Sequence, residues 1–258
     1  YKEQGALPMS VDDAVTMMKP NYDNYCFSEN KLADCMFNSD MVLYCMKSLI
    51  LHGVKPKEIV DPNIRTDFNK LAYLVRLDHG LGENFSVIKE IAEQGEIVTE
   101  IVTHFSALEM TDVGNFKSLL FYFGLLSIKG VDMMGRPILH IPNLVVREQL
   151  FNFLIQGYAR HDIFKLDVNR LRTLFENMSF KGDWKPLFEF LAEAIREQSR
   201  IREYIEGEAH IKGFLLAYLS MFRYYQLYPE YEMNKGFADF FFKPSPAAPV
   251  SPPYTYLL

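Results

Sequence analysis

Asp239 sits in a setting that calls for a chemical explanation. It stands within Gly236-Phe237-Ala238-Asp239-Phe240-Phe241-Phe242, a run otherwise apolar and aromatic that reads as a β-strand. A carboxylate placed there is costly unless it meets a metal, a partner or solvent at a sheet edge. A second run, Tyr254-Thr255-Tyr256-Leu257-Leu258, reads as a strand entering a sheet, with no turn, charge cluster or polar tail to close it. Together the two runs suggest one half of a metal site whose other half lies beyond Leu258. With a first residue of Tyr1, the expectation is a piece of a longer protein.

The elements that must position Asp239 follow from turn and periodicity signals. Residues 228–233 and 237–243 read as two strands joined by Asn234-Lys235-Gly236, a hairpin signal. Residues 244–253, rich in Pro, Ser and Ala, form a loose loop before the third strand. Ahead of the hairpin, residues 206–225 read as one long helix. Two more helices precede it: 168–178, with Asp167 as its cap and Gly182-Asp183 as a break, and 184–198, with Leu187, Phe190, Leu191, Ala194 and Ile195 on one face.

Further upstream, apolar spacing predicts helices over 11–18 (capped by Ser10, ending before Pro20), 40–52 (capped by Ser39, stopped by Gly53), 67–77 and 85–94 (closed by Gly95). Asn21 to Ser28 is turn-rich and aromatic, a hairpin or extended loop, and Asp61-Pro62-Asn63 is a turn. Residues 96–105 read as a strand pair, or a short strand and turn. Residues 115–126 form a strongly apolar helix. Strands at 126–131 and 137–141 flank the turn Asp132-Met133-Met134-Gly135-Arg136, and a helix over 144–158 follows. Helix, hairpin, helix is the order of a winged-helix type of unit, or of a hairpin that merely packs on helices. The fold class is therefore mainly α with small β elements (α+β).

Composition narrows the function classes. Of 258 residues, 49% are hydrophobic, enough for one large domain or two small ones. The given residues read without a signal peptide, and no apolar run reaches the roughly 18 residues of a membrane span, so the expectation is a cytoplasmic protein. The formal net charge is −6, without the basic excess of a tight nucleic-acid binder, although a local patch can coexist with an acidic total. Cys26, Cys35 and Cys45 are odd in number and lack Cys-x-x-Cys spacing. They read as small buried thiols in a reducing compartment rather than zinc ligands.

The order of elements in the last fifty residues resembles the PD-(D/E)XK nuclease superfamily: a first helix bearing a Glu, a hairpin whose second strand bears the Asp, and a third strand bearing Glu-x-Lys. Gly207-Glu208-Ala209-His210-Ile211-Lys212-Gly213-Phe214 and Gly236-Phe237-Ala238-Asp239 resemble the version fused to an AAA-ATPase-like domain in many bacterial proteins. Upstream segments are similar to the same family's: Asn21 to Ser28, Asp61 to Phe68, Phe116-Lys117-Ser118-Leu119-Leu120, and Ile141-Pro142-Asn143 with Val146-Arg147. The resemblance implies that residues 1–200 are the C-terminal helical and winged-helix-like part of an ATPase-like region. Residues 201–258 would then be the first part of a nuclease-like α/β core of helix, antiparallel hairpin and third strand.

That resemblance also implies a chemistry. Phosphodiester hydrolysis needs a hard divalent cation, Mg²⁺ or Mn²⁺, held by carboxylates. Asp239 would be its central ligand, and Glu208 would complete the site directly or through water, so these two are the catalytic and metal residues. The Glu-x-Lys would follow Leu258; its Lys would activate water and stabilise developing charge. The phosphate-binding loop Gly-x-x-x-x-Gly-Lys-Ser/Thr is absent from the chain, so no ATP site is expected. With two of four expected groups, the chain should hold metal poorly and be inactive alone. The intact parent would act on DNA or RNA, with the remaining ATPase domain as a further partner and no membrane.

Blander readings stand beside each residue. Asp239 can be an edge-strand acid, and Glu208 a solvated helix residue favoured by the helix dipole. His210 reads as structural, Glu230 and Glu232 as solvent-facing strand acids, and Lys212 as solvated or phosphate-contacting. Arg65 and Arg147 read as ion-pair partners, Trp184 as a packing anchor, and Phe240, Phe241 and Phe242 as core and sheet packing. Two rival functions follow: a binding module with a degenerate nuclease fold, contacting nucleic acid or protein, and an assembly piece packing on an absent ATPase core or another copy.

Overall fold

The computed structural model describes residues 7–32, 34–56, 83–160, 166–197, 208–234, 236–245, 248 and 250–258. The expected turn at Asp61-Pro62-Asn63, the helix over 67–77 and Arg65 lie outside the described residues. So does the expected domain boundary at 200/201. The chain divides into two compact units, Tyr1–Ile91 with Gly95–Gln149, and Ala92–Gln94 with Leu150–Leu258. The fold is α+β with small antiparallel sheets.

In the first unit, helix α1 (Val11–Tyr22) starts at Ser10, whose hydroxyl accepts the Asp13 N–H. Helix α2 (Ser39–His52) starts one residue earlier than expected. Asn38, not Ser39, is its cap, because the Asn38 side-chain oxygen accepts the Met41 N–H at 3.1 Å. Gly53 ends α2 with φ +70°, the left-handed conformation that glycine adopts without cost. Helix α1 carries Pro20 inside it, although the proline reads as a stop. The last turn survives because the Asp23 N–H still bonds the Lys19 carbonyl and Tyr22 is buried. Ala14, Met18 and Tyr22 pack with Met41, Cys45, Leu49 and Val145, so the two helices share one apolar seam.

Helix α3 (Glu83–Gln94) is closed by Gly95 and leads into β1 (Glu96–Val98), a short strand. Helix α4 (Val113–Tyr122), β2 (Ser127–Val131), β3 (Pro137–His140) and α5 (Leu144–Arg160) follow. This is the helix, hairpin, helix order expected. Strand β1 adds a third strand, and the antiparallel sheet runs β1-β3-β2. The hairpin turn is locked by Asp132, which accepts from the Met134 and Arg136 N–H groups and pairs with the Arg136 guanidinium.

In the second unit, α6 (Val168–Lys181) is capped by Asp167, which accepts from the Asn169 and Arg170 N–H groups, and ends at Gly182. Helix α7 (Lys185–Glu197) and helix α8 (Glu208–Leu219) follow, then β4 (Tyr225–Met233), β5 (Gly236–Pro244) and β6 (Tyr256–Leu257). The sheet order is β4-β5-β6, antiparallel throughout. The helix predicted to run to residue 225 stops at Leu219, and β4 begins three residues earlier than expected. Tyr218, Phe222 and Tyr225 have helix-like spacing, but the alternation of buried Tyr225 and Leu227 belongs to a strand paired with Pro244 and Phe242.

The sheet's buried face is aromatic. Phe240 and Phe242 are fully enclosed, and Phe242 meets Phe188, Tyr225 and Tyr256 edge-on. Phe175 of α6 packs on Phe222 and Tyr225. Of the three phenylalanines read as core and sheet packing, Phe240 and Phe242 are the core and Phe241 is the sheet packing. It points to the opposite face, half-buried between Tyr228 and Tyr231, as strand alternation requires. Trp184 is half exposed and edge-on to Phe188, less an anchor than its size suggests.

Candidate functional site

Alternation along β5 decides where Asp239 goes. Ala238, Phe240 and Phe242 face the core, so Asp239 emerges between Phe237 and Phe241 on the other face. Its side chain is 64% exposed, and solvent removes most of the penalty that its apolar neighbours imply. Strand β5 lies between β4 and β6 rather than at the sheet edge, so it is the outward face, not an edge, that wets the carboxylate.

Among the described residues, a cation reaches it. Lys212 of α8 places Nζ 3.5 Å from Asp239 Oδ1, and the lysine side chain is only 18% exposed. Its aliphatic stem is covered while the ammonium meets the acid, the usual division of labour for a long basic side chain. Sequence reasoning took Lys212 as solvated or phosphate-bound. No spacing in the sequence signals the pairing, because it depends on how α8 lies against the sheet.

Glu208 is the first residue of α8; its side chain, like those of His210 and Glu230, lies outside the described structure. On β4, the register Pro229↔Phe240 and Tyr231↔Ala238 sets the position of Glu230 across from Asp239. Glu232 is exposed opposite Phe237. Among the described residues, no group of three His, Cys, Asp or Glu side chains stands close enough to hold a metal ion. The described donor set around Asp239 is thus one carboxylate already facing an ammonium, which does not by itself fit a divalent cation.

The third strand is firmly seated. Phe241 pairs with Leu257 and Phe242 with Tyr256, and Phe240 and Leu258 exchange both backbone hydrogen bonds, at 3.3 and 2.9 Å. The Tyr256 hydroxyl donates to the Met178 carbonyl at 2.6 Å. The Tyr254 ring lies over Gly182, where an added Cβ would come within 3.1 Å of it. Burial pushes the Tyr225 hydroxyl up to about 12, with Tyr256 nearby adding to the effect. These rings are packing elements.

In the first unit, several buried polar side chains among the described residues act as structural pins. Asn143 donates to the Asp23 carbonyl at 3.0 Å, and its oxygen accepts the Val146 N–H, capping α5. Ser127, fully buried, donates to the Asn24 carbonyl and accepts the Cys26 N–H, both at 2.7 Å. Ser118 Oγ accepts the Val102 N–H and donates to the Gly114 carbonyl. Arg147 extends α5 with its backbone N–H bonded to the Asn143 carbonyl. Of the cysteines read as buried thiols, Cys26 and Cys45 are buried and Cys35 is half-buried; all three are free.

Residues 206–258 match the family model of the PD-(D/E)XK nuclease superfamily. The match spans α8, the β4–β5 hairpin and β6, the elements that surround Asp239. No curated protein and no solved structure matches the chain. Among the described residues, no helix is long and apolar enough to cross a membrane.

Proposed function

We propose that residues 206–258 supply the first part of a metal-dependent phosphodiesterase centre acting on DNA or RNA. In this reading Asp239 and Glu208 are two of the metal ligands, further donors come from outside this chain, and the chain alone is inactive. The remaining part, residues 1–200, serves a cytoplasmic, bacterial ATPase-like protein as its C-terminal helical and winged-helix-like region. The observation that carries the reading is the carboxylate of Asp239, held outward on the middle strand of a small antiparallel sheet beside the first helix of a matched nuclease-superfamily segment. The register supports it too. Where a polypeptide continues past Leu258 in the same ladder, its next residue stands opposite Asp239, within reach of a shared cation.

The cation belongs to Mg²⁺ or Mn²⁺ chemistry, whose role would be to polarise a phosphate and activate water. No catalytic step is assigned to this chain, because its described donors do not complete the site. A polypeptide carrying the Glu-x-Lys strand end is expected to cut DNA or RNA with Mg²⁺ or Mn²⁺, and Asp239→Ala is expected to abolish the cutting. Equal cutting by both proteins would overturn the assignment.

The Lys212–Asp239 ion pair favours a second reading, in which the ammonium stands where a metal would and the fold is a non-catalytic module for binding nucleic acid or protein, or for assembly. Lys212→Met separates the two. It should leave a metal-dependent nuclease's Asp239-dependent Mn²⁺ binding intact or stronger, and should leave a degenerate module with no Mn²⁺ binding at all.

A further inference from the structure

Cys26 and Cys35 are nine positions apart in sequence and face each other in space. Tyr25 and Met36 form an isolated antiparallel bridge and exchange both backbone hydrogen bonds, at 3.1 and 2.9 Å. The next pair inward is Cys26 with Cys35. Beside a hydrogen-bonded pair, an antiparallel ladder brings the non-bonded pair closest, with Cα atoms about 4.5 Å apart. That spacing lies within the span a disulfide bridges, roughly 4.4–6.8 Å. The two sulfurs stand 2.7 Å apart and remain free thiols.

The backbone holds the pair in this arrangement. The Cys26 N–H donates to Ser127 Oγ at 2.7 Å, and its carbonyl accepts the Ile128 N–H at 3.0 Å. Cys26 is 2% exposed, whereas Cys35 is half-buried and open to a small reagent. The third thiol, Cys45, is shut inside the seam between α1 and α2.

We propose that Cys26 and Cys35 are an oxidisable pair that forms a reversible intramolecular disulfide by exchange with a small-molecule disulfide of the glutathione type. The Cys35 thiolate attacks one sulfur of the reagent; the reagent's S–S bond breaks, one thiolate leaves, and Cys35 carries a mixed disulfide. The Cys26 thiolate then attacks the Cys35 sulfur and expels the second reagent thiolate. Each protein thiol gives its proton to solvent, two electrons pass to the reagent, and two reagent thiols result for one protein disulfide. The reaction staples residues 24–27 to the segment leading into α2. Burial, the neighbouring Cys26 sulfur and the acids Asp23 and Asp34 push the Cys35 thiol up to about 11. The pair is therefore slow to react at neutral pH, and its oxidation speeds up as pH rises towards that value, by about tenfold per unit.

The test uses the full chain incubated with oxidised glutathione, alkylated and mapped by mass spectrometry. The native chain should lose two of its three thiols and yield one peptide pair linking Cys26 to Cys35, reversed by dithiothreitol. Cys26→Ser should instead accumulate a stable glutathione adduct on Cys35. In Cys35→Ser, Cys26 should stay unmodified in the folded protein because it is buried. The oxidised native chain should also melt at a higher temperature than the reduced one, a readout that needs no variant. Retention of all three thiols, a lasting glutathione adduct on native Cys35, or a cross-link through Cys45 or between chains would each overturn the proposal.

Discussion

The two units solve the problem of polar residues in apolar surroundings in opposite ways. In the first, short polar side chains go inside and become pins: Ser118, Ser127 and Asn143 are buried, and each bonds backbone groups far away in sequence. In the second, the sheet is held by interlocking rings, and the carboxylate of its middle strand is turned outward to meet a lysine. The difference is a matter of size and charge. A hydroxyl or amide can be satisfied by two or three backbone groups and then costs little to bury. A carboxylate in the same place would have to shed a full charge. Both kinds of residue catch the eye as motif positions in the sequence, yet only the second leaves a group free to act on something outside the chain.

Removing a ring should have the largest effect. Phe242→Ala opens a cavity among Phe188, Tyr225 and Tyr256 and should cost about 3–5 kcal/mol, read as a lower denaturant midpoint. It should also release the third strand, because Phe242 is the ladder partner of Tyr256. Hydrogen exchange should then rise at Leu258, whose N–H bonds the Phe240 carbonyl. A loss no larger than that of a surface substitution would mean that rings do not hold this sheet.

Removing a pin should come second. Asn143→Ala strands the Asp23 carbonyl and the α5 cap at once, and should cost about 1–3 kcal/mol by the same measurement. Asn143→Asp sharpens the point. It can keep the cap, but it loses the donor to Asp23, so it should recover only part of the loss.

The sequence made visible what is written locally. Asp167 before an amphipathic run, and Gly53, Gly95 and Gly182 after such runs, mark helix ends that the structure reproduces, because caps act within one turn. The α+β class and the matched nuclease-superfamily segment were legible for the same reason: hairpin, helix and acid follow each other within fifty residues. Pro20 misled because the hydrogen bonds and burial that carry α1 past it depend on tertiary packing. The true end of α8 was hidden by aromatic spacing that suits a helix and a strand equally until a partner strand chooses. The Cys26–Cys35 apposition was beyond reach, since only the Tyr25–Met36 bridge folds the two together. The Lys212–Asp239 pair depends on how α8 lies against the sheet, which no spacing states.

The smallest expected effect is the one that tests the contrast hardest. Asp239→Asn keeps the shape of the side chain and removes its charge. If the outward carboxylate has no structural task, stability should change by no more than about 0.5–1 kcal/mol, the range of an exposed ion pair. That change should shrink further in high salt, because the pair lies at the surface and salt screens it. Lys212→Met should change stability by a similar amount, and the double variant should differ from the sum of the singles by no more than the pair itself is worth. A loss of several kcal/mol from Asp239→Asn, comparable to that from Asn143→Ala, would make Asp239 another pin. It would then be a residue held for the fold, and the argument that this acid is kept outward for chemistry would lose its basis.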